Sequence, residues 1–153
     1  MKKLNAGIVN FFQGQSFVII STIGKDGFPH NSCKGIVKID KEGRVYLLDL
    51  YQARTYENLK NNTKISITAV EEHQFKGYCL KGRARIIPSD TLTPQIKKAW
   101  EEKITMRIAK RLIKNLRSEQ GLTRHSEALL PRPKYMIMLE VEDIVDLASP
   151  RLR

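Results

Sequence analysis

An arginine and a threonine at the start of a helix, just past the end of a strand, put a guanidinium, a hydroxyl and unpaired backbone N–H groups within reach of one anion. The stretch VYLLDLYQARTYENLKNN, Val45 to Asn62, has this form. Val45, Tyr46, Leu47 and Leu48 are β-rich and apolar, the run stops at Asp49, and Arg54 and Thr55 stand where the first helical turn begins. A phosphate is the anion that such a corner holds. The competing reading of the same residues makes Thr55 a helix cap and Arg54 a solvated charge.

Other chemistries have less to work with. His30, His73 and His125 are too scattered for a linear metal motif, and the chain has no GxSxG, P-loop or GxGxxG. Cys33 and Cys79 fall in separate predicted strands without a CxxC spacing, and are read as buried free thiols. The net charge of +11 is the compositional outlier and points to a polyanionic or phosphate-bearing partner.

A length of 153 residues suits one domain spanning 1–153, and 41% hydrophobic with 28% charged residues describes a globular chain rather than a disordered one. The longest apolar run, Phe17 to Ile20, is cut by Ser21, so no membrane span is expected. Met1-Lys2-Lys3 is followed by Asn5, Asn10 and Gln13, unlike a signal peptide, and the expected location is the cytoplasm.

The elements that must position Arg54 and Thr55 can be read in order. Leu4, Ile8, Phe11 and Phe12 share one face of a short opening helix that ends at Gln13-Gly14-Gln15. Phe17 to Ile23 predicts a strand buried on both faces, Gly24 to Gly27 a turn, His30 to Ile39 a second strand, and Val45 to Leu50 a third. After the helix near Arg54, Lys64 to Val70 alternates as a fourth strand and Tyr78 to Ile87 as a fifth, with Lys81, Arg83 and Arg85 on one side and bends allowed at Gly77 and Gly82. From Pro94 to about Glu119 the period becomes helical: Ile96, Trp100, Ile104, Ile108, Leu112 and Leu116 form a stripe opposite a face rich in lysine and arginine. Tyr135 to Val141 is the last strand, with Ile144, Val145 and Leu147 continuing the apolar pattern. Short strands with glycine corners predict a mainly β protein with helices (α+β), built on a small antiparallel barrel with a long helix in its C-terminal half.

Four segments, IGKDGFPHNSCKG, LLDLYQARTYENLKNN, KISITAV and GYCLKGRARI, in this order, resemble the FMN-binding split β-barrel of the pyridoxamine 5′-phosphate oxidase-like superfamily. The resemblance covers Phe17 to Ile87 and implies a Greek-key-like split barrel and a homodimer with FMN at the subunit interface. By position, Asn31, Ser32, Cys33 and Lys34 correspond to the second strand that lines the flavin. Leu48, Asp49 and Leu50 correspond to the end of the third strand, at the ring and ribityl chain. Arg54 and Thr55 match the phosphate-binding pair, and the charge of a phosphomonoester suits Arg54, Lys34 and the Thr55 hydroxyl. Lys34 near the N1–C2 edge would favour the anionic reduced flavin. The vitamin-synthesising oxidases carry an Arg and a His two residues apart near the C-terminus; the tail here, LEVEDIVDLASPRLR, has no such pair, and Ala53 stands where the family usually has Ser. The expectation is therefore an FMN-dependent oxidoreductase related to, but distinct from, pyridoxamine 5′-phosphate oxidase, with an unidentified small-molecule or protein electron partner.

Two alternatives belong to other classes. A haem-handling split barrel would take an axial ligand from His30 or His125. A nucleic-acid-binding module would use the basic helix face, although no aromatic residues interleave with its cations.

Overall fold

The computed structural model describes residues 1–49, 53–117 and 133–148. Six strands, β1 (Val18–Ile23), β2 (Pro29–Ile39), β3 (Arg44–Leu48), β4 (Lys64–Glu71), β5 (Lys76–Pro88) and β6 (Tyr135–Asp146), form a closed barrel in the order β1-β2-β3-β6-β5-β4. Every neighbouring pair is antiparallel, and β4 closes back on β1. The expected mainly β split barrel with helices is what is found. Gly27 and Gly43 take φ of +80° and +91° in the β1–β2 and β2–β3 turns, where a β-carbon would be strained.

Alternation along each strand sends one set of side chains to a common interior. Ile20, Leu47, Ile67, Leu80, Ile137 and Leu139 are completely buried there, each worth about 1.5–3 kcal/mol of transfer free energy. The opening helix α1 (Ala6–Gln13) is capped by Asn5, whose Oδ1 accepts the Ile8 N–H at 2.9 Å. It adds Ile8, Val9 and Phe12 to that core, with Phe11 packed edge-on against Tyr78.

The two outer sides of the barrel differ. On one, Leu92 and the first turns of α3 (Pro94–Arg117) bring Ile96 and Trp100 against Val37, Tyr46, Ile87 and Met136. The other has no cover among the described residues. Phe17 and Ile19 are 59% and 41% exposed, because only the Val18, Ile20 and Thr22 side of β1 faces the core; the expectation of a strand buried on both faces does not hold.

The last strand is also longer than its apolar run suggests, continuing beyond Val141 so that Ile144 and Val145 pair with Leu80 and Cys79. A bulge between Lys81 and Gly82 absorbs one extra β6 residue, Glu142. Gly82 is required there, since a β-carbon would sit 1.9 Å from the Glu140 carbonyl oxygen. No described helix is long and apolar enough to cross a membrane.

Candidate functional site

Helix α2 (Arg54–Asn61) seals one end of the barrel and carries the Arg-Thr pair to it. Thr55, Asn58 and Leu59 are its buried residues. Asn58 Nδ2 donates to Thr22 Oγ1 at 3.0 Å, a buried contact that ties the helix to β1. Thr55 is not the cap. The N-cap is Ala53, which has no side-chain acceptor for the first-turn N–H groups. The Thr55 hydroxyl turns inward instead, 3.0 Å from Ser32 Oγ on β2. Two hydroxyls joined by one mutual hydrogen bond leave one O–H for a further acceptor.

Beyond Ser32, on the same face of β2, Lys34 places its ammonium 2.5 Å from Asp49 Oδ1. Asp49 follows β3 directly, and its side chain is fully buried. Its other oxygen, Oδ2, accepts a short hydrogen bond from the Tyr135 hydroxyl at the start of β6. Burial, then the hydrogen bond to Asp49 and that carboxylate's charge, with a smaller contribution from Tyr56, push the Tyr135 phenol far above its ordinary range. The phenol therefore stays protonated and remains a donor. Tyr56 packs against the Tyr135 ring at 4.8 Å between centroids, and the Lys60 ammonium lies 5.5 Å from the Tyr56 ring centre.

Lys34 and Asp49 together carry no net charge, so Lys34 is not a free cation for an anionic ligand. Arg54 is exposed instead and lines an open cleft of about 510 Å³ with Lys25, Asp26, Phe28, Pro29, His30, Glu57 and Asn58. That volume lies within the range of small-molecule sites. His30 and Ser32 share one face of β2, so the cleft adjoins the hydroxyl pair.

The residues expected from sequence divide into two groups. Ser32, Lys34, Asp49 and Thr55 meet at the barrel end, with Arg54 beside them. Asn31 and Cys33 alternate to the outer face of β2, where Asn31 Oδ1 accepts from Ser21 Oγ at 2.6 Å and Cys33 pairs in register with Ile19. Cys33 is exposed for this reason, against the expected burial, while Cys79 is buried; both are free thiols. Leu48 is buried between Gly35 and Met136 in the ladder. Leu50 and His125 lie outside the described residues. Sequence reasoning missed Tyr135, Tyr56 and the Thr22–Asn58 contact. Asp49 and Tyr135 are 86 residues apart, and only the β3–β6 register, which pairs Leu48 with Met136, brings them together.

The family model for pyridoxamine 5′-phosphate oxidase matches residues 4–133. Among solved structures, HupZ of Group A Streptococcus is similar at 17% identity, covering 95% of this chain and 96% of that one with a TM-score of 0.66. A Clostridium acetobutylicum protein related to general stress protein 26 of B. subtilis (pyridoxinephosphate oxidase family) is 18% identical over 98% of this chain and 100% of that one, TM-score 0.56. HutZ, the heme storage protein from Vibrio cholerae, is 19% identical over 95% and 94%, TM-score 0.56. No curated protein matches the chain.

Proposed function

The chain belongs to the pyridoxamine 5′-phosphate oxidase family, and from that premise we propose that it is an FMN-binding flavoprotein acting as an oxidoreductase. The observation that carries this reading is the exposed Arg54 guanidinium in a cleft that adjoins the Ser32–Thr55 hydroxyl pair. Arg54 supplies the charge for a phosphomonoester and the spare hydroxyl proton supplies a charge-assisted donor. Ala53 leaves the first-turn N–H groups without a side-chain cap, which adds a favourable dipole end. Of the remaining expected contacts, Leu48 and Leu50 are proposed as further parts of the flavin surface, and Asn31 and Cys33, on the outer face of β2, as meeting a flavin only across the interface of the homodimer proposed below. FMN, when bound, supplies the hydride or electron transfer, and the protein supplies position and field. No general base is needed for hydride transfer to a flavin. The physiological partner is then a small molecule or a protein that exchanges electrons with the flavin.

A homodimer belongs to the same proposal. A chain of net charge +11 approaches its own copy at least cost through a neutral face. The uncovered outer side of the barrel offers an uncharged patch: Phe17 just before β1, Ile19 on β1, Cys33 on β2 and the 63%-exposed Val70 on β4. Two free cysteines fit a reducing compartment such as the cytoplasm. A single-domain organisation is part of this proposal as well.

The test is a fluorescence-quenching titration of FMN, repeated with FAD, riboflavin and the Arg54→Ala variant. FMN binding that weakens without the phosphate and without Arg54 supports the reading; no FMN binding removes it. A second reading, haem handling, is favoured by one observation, the imidazole of His30 lining the same cleft, and is consistent with the similarity to the heme storage protein HutZ. A Soret band on haem addition that is lost in His30→Ala would select it.

A further inference from the structure

We propose that Asp49 is a positioning residue that acts through Lys34: it fixes the Lys34 ammonium at the barrel end and cancels its charge, so that a bound flavin faces a held, neutral pair rather than a free cation. This rests on the FMN reading above. Asp49 has no exposed side-chain surface, and its two oxygens are taken by Lys34 and Tyr135. With no exposed surface, Asp49 acts on a ligand at the mouth through Lys34. Lys34 is the member of the pair that reaches the surface, with 14% of its side chain exposed.

The third member holds the arrangement in place. Tyr135 is a committed donor to Asp49, and its ring is fixed against Tyr56 on α2, the helix that also presents Arg54 and Thr55. The carboxylate is thereby anchored to β6 and α2 as well as to its own strand end. A field from an ammonium with a carboxylate 2.5 Å away falls off faster than that of an ammonium alone. Reduction places negative charge on a flavin, and a lone buried cation would favour it strongly. The paired cation favours it weakly, which keeps the potential low.

Redox titration of FMN-loaded protein against a reference dye tests this with Asp49→Asn and the double variant Asp49→Asn/Lys34→Met. Asn keeps the shape and accepts the Tyr135 hydroxyl, but leaves Lys34 as an unbalanced cation. The oxidised–reduced equilibrium should move roughly tenfold or more toward reduced FMN in Asp49→Asn, and return to within about threefold of wild type in the double variant. Wild type that binds FMN while Asp49→Asn keeps the wild-type potential would overturn the role of Asp49 alone. A double variant that keeps the shift would overturn it too, because the effect would not pass through Lys34. Wild type that binds no FMN removes both this inference and the reading beneath it. Should Asp49→Asn fail to fold, Asp49→Glu keeps the charge and displaces the ammonium by one methylene. The pair stays neutral there, so the potential should remain within about threefold of wild type; a shift of roughly tenfold or more toward reduced FMN in that variant would overturn the charge-cancelling role.

Discussion

Two sets of opposite charges stand on this barrel in very different settings. At the end sealed by α2, Lys34 and Asp49 meet with side chains 14% and 0% exposed. Along the β5–β6 wall, Arg83 meets Glu142 at 3.2 Å and Arg85 meets Glu140 at 3.1 Å, with the arginines 66% and 69% exposed. The chemistry is the same and the solvent is not. On the wall, water and salt screen each pair, and either partner alone is comfortable. At the sealed end each charge depends on the other, because a lone buried ion has nothing to replace its hydration. A buried pair therefore says little about net stability and a great deal about geometry.

The largest test of that difference is Asp49→Ala. It leaves the Lys34 ammonium buried and unbalanced, and should cost roughly 3–5 kcal/mol in urea denaturation. Adding Lys34→Met removes the unbalanced charge and should recover part of the loss, the remainder reflecting the Tyr135 hydroxyl left without its acceptor and the space vacated by the carboxylate. If the single variant costs no more than a surface substitution, the sealed end is wetter than the structure shows.

Next in size is Tyr135→Phe, which removes one donor from a buried carboxylate and should cost about 1.5–3 kcal/mol near neutral pH. Its pH dependence has a definite sign. The folded-state pKa of Tyr135 is raised, so folded protein holds this proton where unfolded chain releases it. The stabilisation is complete below the unfolded tyrosine value of about 10 and is lost as pH rises above it. Wild type should lose stability more steeply than Tyr135→Phe in that alkaline window. Parallel curves for the two would mean that the phenol is not held by Asp49.

How much of this was legible in the sequence follows from how far apart the interacting residues lie. The barrel was, because alternation in KISITAV and GYCLKGRARI and the turns at Gly27 and Gly43 are local signals. The Arg54–Thr55 corner was legible as a pair, although Thr55 turned out to bond Ser32 rather than cap the helix. Asp49 with Tyr135 was not, because nothing local records which strand lies beside β3. The outer placement of Asn31 and Cys33 follows from a period of two, and β2 carries too few apolar residues near them to fix the phase. The segment around β1 misled in the opposite sense: Phe17, just before the strand, and Ile19 on its outer side look like core in sequence and stand exposed in this fold.

Arg54→Ala separates binding from stability within the sealed end. Arg54 is exposed and its guanidinium faces the cleft, so its loss should change stability by no more than about 0.5 kcal/mol. FMN affinity should fall by roughly tenfold or more, as for the loss of a charged hydrogen bond to phosphate. A variant that binds FMN as wild type does would place the phosphate elsewhere.

The smallest expected effect belongs to the wall. Arg85 bonds Glu140 from a strand whose alternate residues, Leu80, Gly82 and Ala84, are buried and unaffected by what Arg85 does. The arginine holds its pair at the cost of side-chain entropy and in water, so Arg85→Ala should lower stability by about 0.2–1 kcal/mol at low salt. Raising the salt to 1 M shortens the screening length to roughly 3 Å and should erase most of that difference. The buried pair should respond less to the same salt, because its side chains are only 14% and 0% exposed. A salt series run on Arg85→Ala and Asp49→Ala side by side thus measures directly how far solvent divides the two regions: a common salt dependence would mean that the Lys34–Asp49 pair is as open to water as the wall.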